Sequence, residues 1–387
     1  MHRFSNLRTK NKIIVITMIY GTILCTFGIT ALYNFSLANV RSEKHSQLRA
    51  ITHTIGNQIS HEIDDASDAI DTLSRDDAIV SCLTEMQSTP QTCTKDQLST
   101  LLFRRILPGS NHFFELYVID NTGVIVASSS QDRKIPEDVS ASSEYLEGKV
   151  GVYISQIYQD APSNSRLMNF AHPINDQNAR RGILVIRQQT DDIELPLQGI
   201  TGMGASFDGY IVNRESIRLT PVLRTQEGAM ERVSDANTQK CLADYDEYGL
   251  EVDEKGHFEE VVTFEKSDGQ KVYATHDYVP EMRWCVMTEV KESESLEAIT
   301  GARPFYILIG FMLIIIVYFI SLWVGSYISK PIEELGRNVE IMLEGDFDHT
   351  VSMEGKDDVS KLSHIIESIR LTLRKFRDEA AKKKDGE

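Results

Sequence analysis

Reactive side chains are sparse in this sequence, and they set the first question: what the cysteines, histidines and clustered acids could do. Of five cysteines, Cys25 lies inside an apolar run, while Cys82, Cys93, Cys241 and Cys285 form an even set between two such runs. Thiols pair in oxidising compartments, so the four read as two disulfides of an extracytoplasmic segment. Four cysteines allow three pairings; the local ones, Cys82–Cys93 and Cys241–Cys285, are preferred, with buried unpaired thiols as the alternative. Asp244, Asp246 and Gly249 fall at positions 1, 3 and 6 of a calcium loop, with Tyr248, Val252 and Lys255 at 5, 9 and 12. Such a loop needs a bidentate glutamate at its last position. Lys255 cannot supply one, so the run reads as a solvated acidic loop. The histidines show no metal-ligand spacing, and His364 reads as a solvated helix residue. No glycine-rich phosphate loop, His-Glu-x-x-His or Gly-x-Ser-x-Gly occurs. The residues imply no active site, no metal and no cofactor; what remains is recognition.

The elements that must position a recognition site are bracketed by two apolar runs, 13–34 and 304–327, each long enough to cross a bilayer, which takes roughly twenty residues. Residues 1–12 carry four Arg and Lys and no acid, which keeps the amino terminus cytoplasmic by the positive-inside rule. A cleaved signal peptide, with Ser36-Leu37-Ala38 as its cleavage site, is the competing reading; the run is too long for an ordinary signal core. Between the runs the chain is extracytoplasmic. The net charge of -17 excludes a nucleic-acid partner, because no basic stripe neutralises phosphates.

From 37 to about 83 the pattern predicts a long helix. Leu48, Ile51, Ile55, Ile59, Ile63, Ala66, Ile70 and Leu73 recur every three or four residues as one apolar stripe. Residues 84–96 read as a polar loop. Strands are expected at 113–120, 123–128, 151–158, 166–174 and 181–188, and, after a helical link at 191–200, at 207–213, 217–220, 258–264, 270–279 and 284–290. A helix at 292–300 leads into the second apolar run. Runs of strands between helices, without strict alternation, give an α+β class. Trp284, Tyr273 and Tyr278 read as core, and Glu289 and Glu297 as structural.

Two stretches carry a resemblance. LYVIDNTGVIVASS, VYISQIYQD and MNFAHPINDQNARRGILV resemble the membrane-distal module of double Cache sensor domains, which are tandem PAS-like sheets on a long amino-terminal helix. GYIVNRESIRLTP and GQKVYATHDYVPEMRWCVMTEVKESESLEAI are similar to the membrane-proximal module. The resemblance covers 37–300, with the distal module at about 84–190 and the proximal one at about 201–290. Beyond the second apolar run, 328–378 resembles a HAMP linker. Ile328, Pro331, Ile332 and Leu335 match its first helix, Gly345-Asp346-Phe347 its connector, and Asp357-Asp358-Val359 the start of its second helix, with Ser360 where a glycine is usual. The residues themselves agree: Val359, Leu362, Ile366, Ile369, Leu373 and Phe376 make a heptad seam. Such helices imply a parallel four-helix coiled coil in a homodimer, against the alternative of an amphipathic hairpin on the membrane surface. Pro331, Leu335, Gly345, Asp358, Leu362, Ile366 and Ile369 are the expected relay residues. A charged tail, 379–387, follows.

The resemblance implies a small-molecule site in the distal module, with Tyr117, Tyr145, Tyr153, Tyr158, Asp160, Asn169 and Asp176 as candidates. Asp and Tyr side chains suit an ammonium group. In the amino-acid-binding members of the family an acid at the position of Asp176 meets the ligand's amine. Their Arg-x-Trp-Tyr carboxylate clamp would fall at Ser142-Ser143-Glu144-Tyr145, which holds neither Arg nor Trp. The expectation is therefore a different amine, an organic acid or no ligand. The expected function is an inner-membrane receptor, its sensor outside and both termini inside, that relays to a cytoplasmic output in a further domain or a separate partner. Two alternatives stand: a receptor for a periplasmic protein with no small ligand, and the sensor half of a histidine kinase or cyclase.

Overall fold

The computed structural model describes residues 9–88, 93–106, 113–177, 179–199, 203–226, 228–248, 261–266, 268–351, 355 and 357–384. They form two compact units, Asn39–Glu297 and the pair Met1–Ala38 with Ala298–Glu387.

In the first unit the organising element is the carboxyl-terminal part of helix α1 (Thr9–Ser74). Its stripe of Leu48, Ile55, Ile59, Ile63 and Ile70 is at most 1% exposed and lies in one apolar core with both sheets. The expected single helix is in fact two. It stops at Ser74, and Asp76 starts α2 (Asp77–Ser88) by accepting from the backbone N–H of Ala78 at 2.9 Å. The expected polar loop shrinks accordingly. α3 (Lys95–Ile106) opens on a reciprocal cap, with Thr94 N donating to Gln97 Oε1 at 2.8 Å and Gln97 N donating to Thr94 Oγ1 at 3.3 Å. Cys82 and Cys93 are joined in a disulfide.

The distal sheet is antiparallel, in the order β3-β2-β1-β7-β6-β4 with β5 also on β6. Its strands are β1 (Phe113–Asp120), β2 (Val124–Ser128), β3 (Glu137–Asp138), β4 (Tyr153–Ile154), β5 (Tyr158–Gln159), β6 (Arg166–Asp176) and β7 (Ala179–Gln189), with the short helix α4 (Ser143–Leu146) between β3 and β4. The strand expected at 151–158 is two short ones. Side chains alternate across the sheet: Leu116, Val118, Phe170, Leu184 and Ile186 join the α1 core, while Tyr117, Ile119, Ala171, Ile183 and Val185 form a second cluster on the other face.

After α5 (Asp191–Gln198) comes the proximal sheet, β8 (Asp208–Val212), β9 (Val262–Glu265), β10 (Lys271–Val279) and β11 (Trp284–Lys291), in the order β8-β11-β10-β9. Trp284, Val286, Val290 and Tyr273 face the α1 core, and Tyr210, Val212, Cys285 and Met287 lie on the opposite face. Two expectations change here. The strand at 217–220 is reduced to isolated bridges, Val212 with Arg218 and Ile217 with Arg232. The acidic run begins on a helix, α6 (Ala236–Tyr248), where Asp244 pairs with Lys240 at 3.3 Å instead of standing in a solvated loop. Cys241 of α6 forms a disulfide with Cys285 of β11. Residues 249–260, including Val252 and Lys255, lie outside the described residues.

The expected helix at 292–300 is two short pieces, α7 (Glu292–Ser295) and α8 (Glu297–Gly301). In the second unit the first part of α1 packs along α9 (Arg303–Leu343). Among the described residues these are the two helices long and apolar enough to cross a membrane, with mean hydropathy 2.1 and 2.8 over their most apolar windows. Small residues sit at their contact: a Cβ on Gly21 would fall on Val317, and one on Gly325 on Ile14. α9 runs through Pro331 without a break and ends at Leu343; just beyond its C-cap Glu344, the φ of 95° at Gly345 and the Asp346 N to Ile341 O bond at 3.3 Å make a left-handed cap. α10 (Asp358–Lys384) follows, and Leu335, Met342 and Val351 form a small core with Phe347, Val359 and Ile366.

Candidate ligand site

Strand register assembles a polar face on the side of the distal sheet away from α1. Glu115, Arg187 and Asn169 stand abreast on β1, β7 and β6, and one step along stand Tyr117, Val185, Ala171 and Tyr153. Glu115 is the buried centre of the first row. It accepts from Ser128 Oγ at 2.6 Å, Arg133 Nη2 at 2.7 Å and Arg187 Nη1 at 2.9 Å. Burial pushes its carboxyl up, but the hydrogen bonds from Arg133, Ser128 and Arg187 outweigh that and hold it below the usual carboxylate range. Arg187 extends the network to Asp160 at 2.6 Å and to the Tyr158 hydroxyl at 3.3 Å. Tyr158 donates to Asn169 Oδ1 at 2.9 Å, and Asn169 Nδ2 donates to Glu144 Oε1 at 2.5 Å.

Glu144 comes from α4, which is seated on β6 by a glycine. A Cβ on Gly148 would lie 2.8 Å from the Cβ of Ala171. Ser142 caps α4 by accepting from Tyr145 N, and the Tyr145 hydroxyl donates to Asn121 O at 2.7 Å, tying α4 to the β1–β2 turn. Tyr145 and Tyr153 pack against the Tyr117 cluster. The Arg133 guanidinium lies 4.5 Å from the centroid of the Tyr117 ring. Burial, with the Glu144 charge adding, pushes the Tyr117 phenol well up, so it stays protonated.

The charges divide unequally. Arg133 is bidentate on Glu115 and also reaches Glu137 at 2.8 Å; Arg187 is shared between Glu115 and Asp160. Neither has a guanidinium edge free for an anionic guest. Glu144 is the reverse case: its hydrogen bond is to a neutral amide, and among the described residues no cation is paired with it. The face can therefore offer a carboxylate beside tyrosine rings.

Six of the seven sequence candidates, Tyr117, Tyr145, Tyr153, Tyr158, Asp160 and Asn169, fall in this network or its cluster. Asp176 does not. It sits at the end of the β6–β7 hairpin on the helix-covered side, where it accepts from Thr84 of α2 at 3.1 Å and pairs with Arg181 at 3.1 Å. Strand alternation alone places it there, since Asp176 shares the face of Phe170 and Ile174 and not that of Asn169 and Ala171. Sequence reasoning passed over Glu115, Arg133, Arg187 and Glu144. Glu115 shares the face of Tyr117 by strand alternation, a signal that was available; the two arginines need a cross-strand register that one sequence does not give.

Of the relay candidates, Leu335 and Ile366 meet in the small core of the second unit, with Pro331 inside α9, Gly345 just beyond its end and Asp358 at the start of α10. Leu362 and Ile369 are exposed on α10.

Known proteins match part of this chain. A family model described as Cache domain matches residues 36–299. The sensory domain of the Campylobacter jejuni chemoreceptor Tlp3 superposes with a TM-score of 0.51 at 10% identity, over 68% of this chain and 99% of that one. The ligand-binding domain of the same receptor in complex with L-valine gives 0.49 at 11% identity, over 67% and 98%. The sensor histidine kinase CssS of Bacillus subtilis (strain 168) is 34% identical over 53 residues, 14% of this chain and 12% of the length of that kinase.

Proposed function

The chain belongs to the Cache domain family, and from that premise we propose that it is a transmembrane receptor whose distal module binds a small cationic amine. The observation that carries the ligand class is Glu144, an unpaired carboxylate beside Tyr117, Tyr145 and Tyr153 on a face whose two arginines are already saturated. An ammonium group there gains a charge-assisted hydrogen bond and contact with aromatic rings. The absence of Arg and Trp from Ser142-Ser143-Glu144-Tyr145 disfavours an α-amino acid held by its carboxylate. In this reading the two apolar helices span the inner membrane with both termini cytoplasmic. A homodimer relays through a HAMP-like bundle of the 328–378 segments. In the same reading the chain is a receptor and not an enzyme, and the output belongs to a partner or a further domain. Binding would bias two packings of that bundle; cysteine crosslinks along 359–376 that are identical with and without ligand would sink the relay.

The test is a thermal-shift screen of the full chain in detergent against amines, amino acids, organic acids and purines. A ligand at a hundred times its dissociation constant stabilises by roughly 2.7 kcal/mol. The expected result is a shift with an amine that Glu144→Gln abolishes and Asp176→Ala leaves in place. A shift with organic acids that survives Glu144→Gln would overturn the ligand class. No shift at all, on a chain that melts cooperatively, would favour a periplasmic protein as the stimulus.

A further inference from the structure

The inference below rests on the membrane reading just proposed and concerns the second unit alone. Beside the contact of α1 and α9 a groove of about 480 Å³ opens. Its walls are Ile29 of α1 with Ile307, Phe311 and Ile314 of α9. Two threonines also line it and ask for no polar guest, because each hydroxyl is spent on its own helix: Thr26 Oγ1 donates to Thr22 O at 2.9 Å and Thr30 Oγ1 to Thr26 O at 2.8 Å. The groove is thus apolar along its length.

One end is different. Arg303 Nε donates to the Tyr33 hydroxyl at 2.8 Å, with the guanidinium 5.8 Å from the centroid of that ring. Tyr306 packs edge-on to Tyr33 with centroids 5.5 Å apart and donates to Ser36 Oγ at 3.3 Å. Tyrosines and an arginine at the end of an apolar span mark the level of lipid headgroups. Among the described residues no carboxylate pairs with Arg303, so its two terminal nitrogens keep their donors. A guanidinium presents those donors in the fork that suits a phosphate.

An apolar trough that ends in an unpaired guanidinium matches an amphiphile with an anionic head. We infer that the groove is a binding site for an anionic phospholipid, with an acyl chain along Ile29 and Phe311 and the phosphate on Arg303. The juxtaposition of Arg303 with the trough is what selects lipid over an uncharged guest.

The experiment reconstitutes the full chain, in a Cys25→Ser background, into vesicles of equal parts phosphatidylglycerol and phosphatidylcholine. Native mass spectrometry after mild extraction then counts the lipids retained. About fivefold enrichment of phosphatidylglycerol is expected, the factor that corresponds to about 1 kcal/mol for one basic residue at the membrane surface. Arg303→Ala should bring the ratio to one, and Arg303→Lys should keep most of it. Thr30→Phe, which fills the trough without touching Arg303, should lower retention of both lipids. No enrichment, or enrichment that survives Arg303→Ala, would overturn the inference. So would ready disulfide crosslinking of Ile307→Cys chains, which would put a second copy in the groove. A chain that carbonate strips from the membrane fraction would overturn the membrane reading as well, so the two failures are distinguishable.

Discussion

The two modules of the sensor unit are one plan built twice, an antiparallel sheet with one face on α1, and they differ in what covers the other face. In the proximal module α6 lays Cys241 and Leu242 on Tyr210, Val212, Cys285 and Met287, and the Cys241–Cys285 disulfide fastens helix to sheet. In the distal module the equivalent face carries Tyr117, Tyr153 and Asn169 under the four-residue α4. The proximal face is thus closed by its own helix and a disulfide, and the distal face by one short helix over a polar network. The buried charges differ in the same sense. Distal Glu115 is held by two arginines. Proximal Asp208 and Glu289 are adjacent in the β8–β11 register, and Glu289 has Lys266 as its ion-pair partner.

The largest expected effect tests that charge difference. Glu115→Gln leaves Arg133 and Arg187 buried without their shared carboxylate, and breaking such a pair costs about 3–5 kcal/mol. Glu289→Gln removes a carboxylate whose burial already opposes its charge, and should cost less than about 1 kcal/mol. Denaturant midpoints of the full chain in detergent give both numbers; equal losses would break the comparison. Next come the staples. In the loop-entropy account, a disulfide across 44 residues stabilises by roughly 4 kcal/mol and one across 11 by roughly 3 kcal/mol. Replacing Cys241 and Cys285 by serine should therefore lower the melting temperature more than replacing Cys82 and Cys93. It should also loosen α6 while leaving α4 in place, as hydrogen exchange would report. Exchange that quickens in α4 instead would assign the staple to the wrong module.

How much of this was legible in the sequence follows from what each signal depends on. The α1 stripe and most strands were readable because periodicity and turn residues are local, but the single helix expected over 37–83 breaks after Ser74 and resumes as α2. α3 was missed although Thr94 and Gln97 announce its cap, because its interior mixes Lys, Asp, Gln, Arg and Ser with a narrow apolar stripe. α6 was missed because Asp244, Asp246 and Gly249 look like a loop in sequence; what makes Asp244 and Asp246 helical is burial of Cys241 and Leu242 against the proximal sheet. The tyrosines that share the distal face could be listed from the family pattern as candidates. Arg133 and Arg187 could not, since only register and a returning loop bring them to Glu115.

The modules also touch, which bounds how independent they are. Trp284 Nε1 of the proximal sheet donates to Gln156 Oε1 at 2.6 Å, and Gln156 Nε2 donates to Met282 O at 3.4 Å, with Gln156 lying between distal β4 and β5. Gln156→Ala orphans a buried indole N–H at a cost of about 1–3 kcal/mol. Faster hydrogen exchange is expected at β4–β5 and at β10–β11 together; a change confined to one sheet would make the modules mechanically separate.

The finest test uses protons, since the two modules should answer pH with opposite signs. Burial raises the Glu115 carboxyl but the hydrogen bonds and charge of its partners outweigh it and leave the group depressed, whereas in Asp208 and Glu289 burial wins over Arg224 and Lys266 and the carboxyls are raised. A depressed carboxyl contributes stability that is present above its unfolded value of about 4.3 and is lost as pH falls through the folded one. A raised carboxyl contributes stability that is complete below about 4 and is lost as pH rises through its folded value. Each unit of displacement corresponds to about 1.4 kcal/mol. Lowering the pH of the full chain from neutral towards 4 should therefore slow exchange in β8, β10 and β11, after correction for the intrinsic rate, before β1 and β7 are affected. Below about pH 4 the order reverses, and β1 and β7 should open first as Glu115 takes its proton. Glu289→Gln should remove part of the proximal gain and none of the distal loss. If both sheets instead weaken together as acid is added, the proximal carboxylates are charged at neutral pH without penalty, and the unequal division of buried charge between the modules has no energetic consequence.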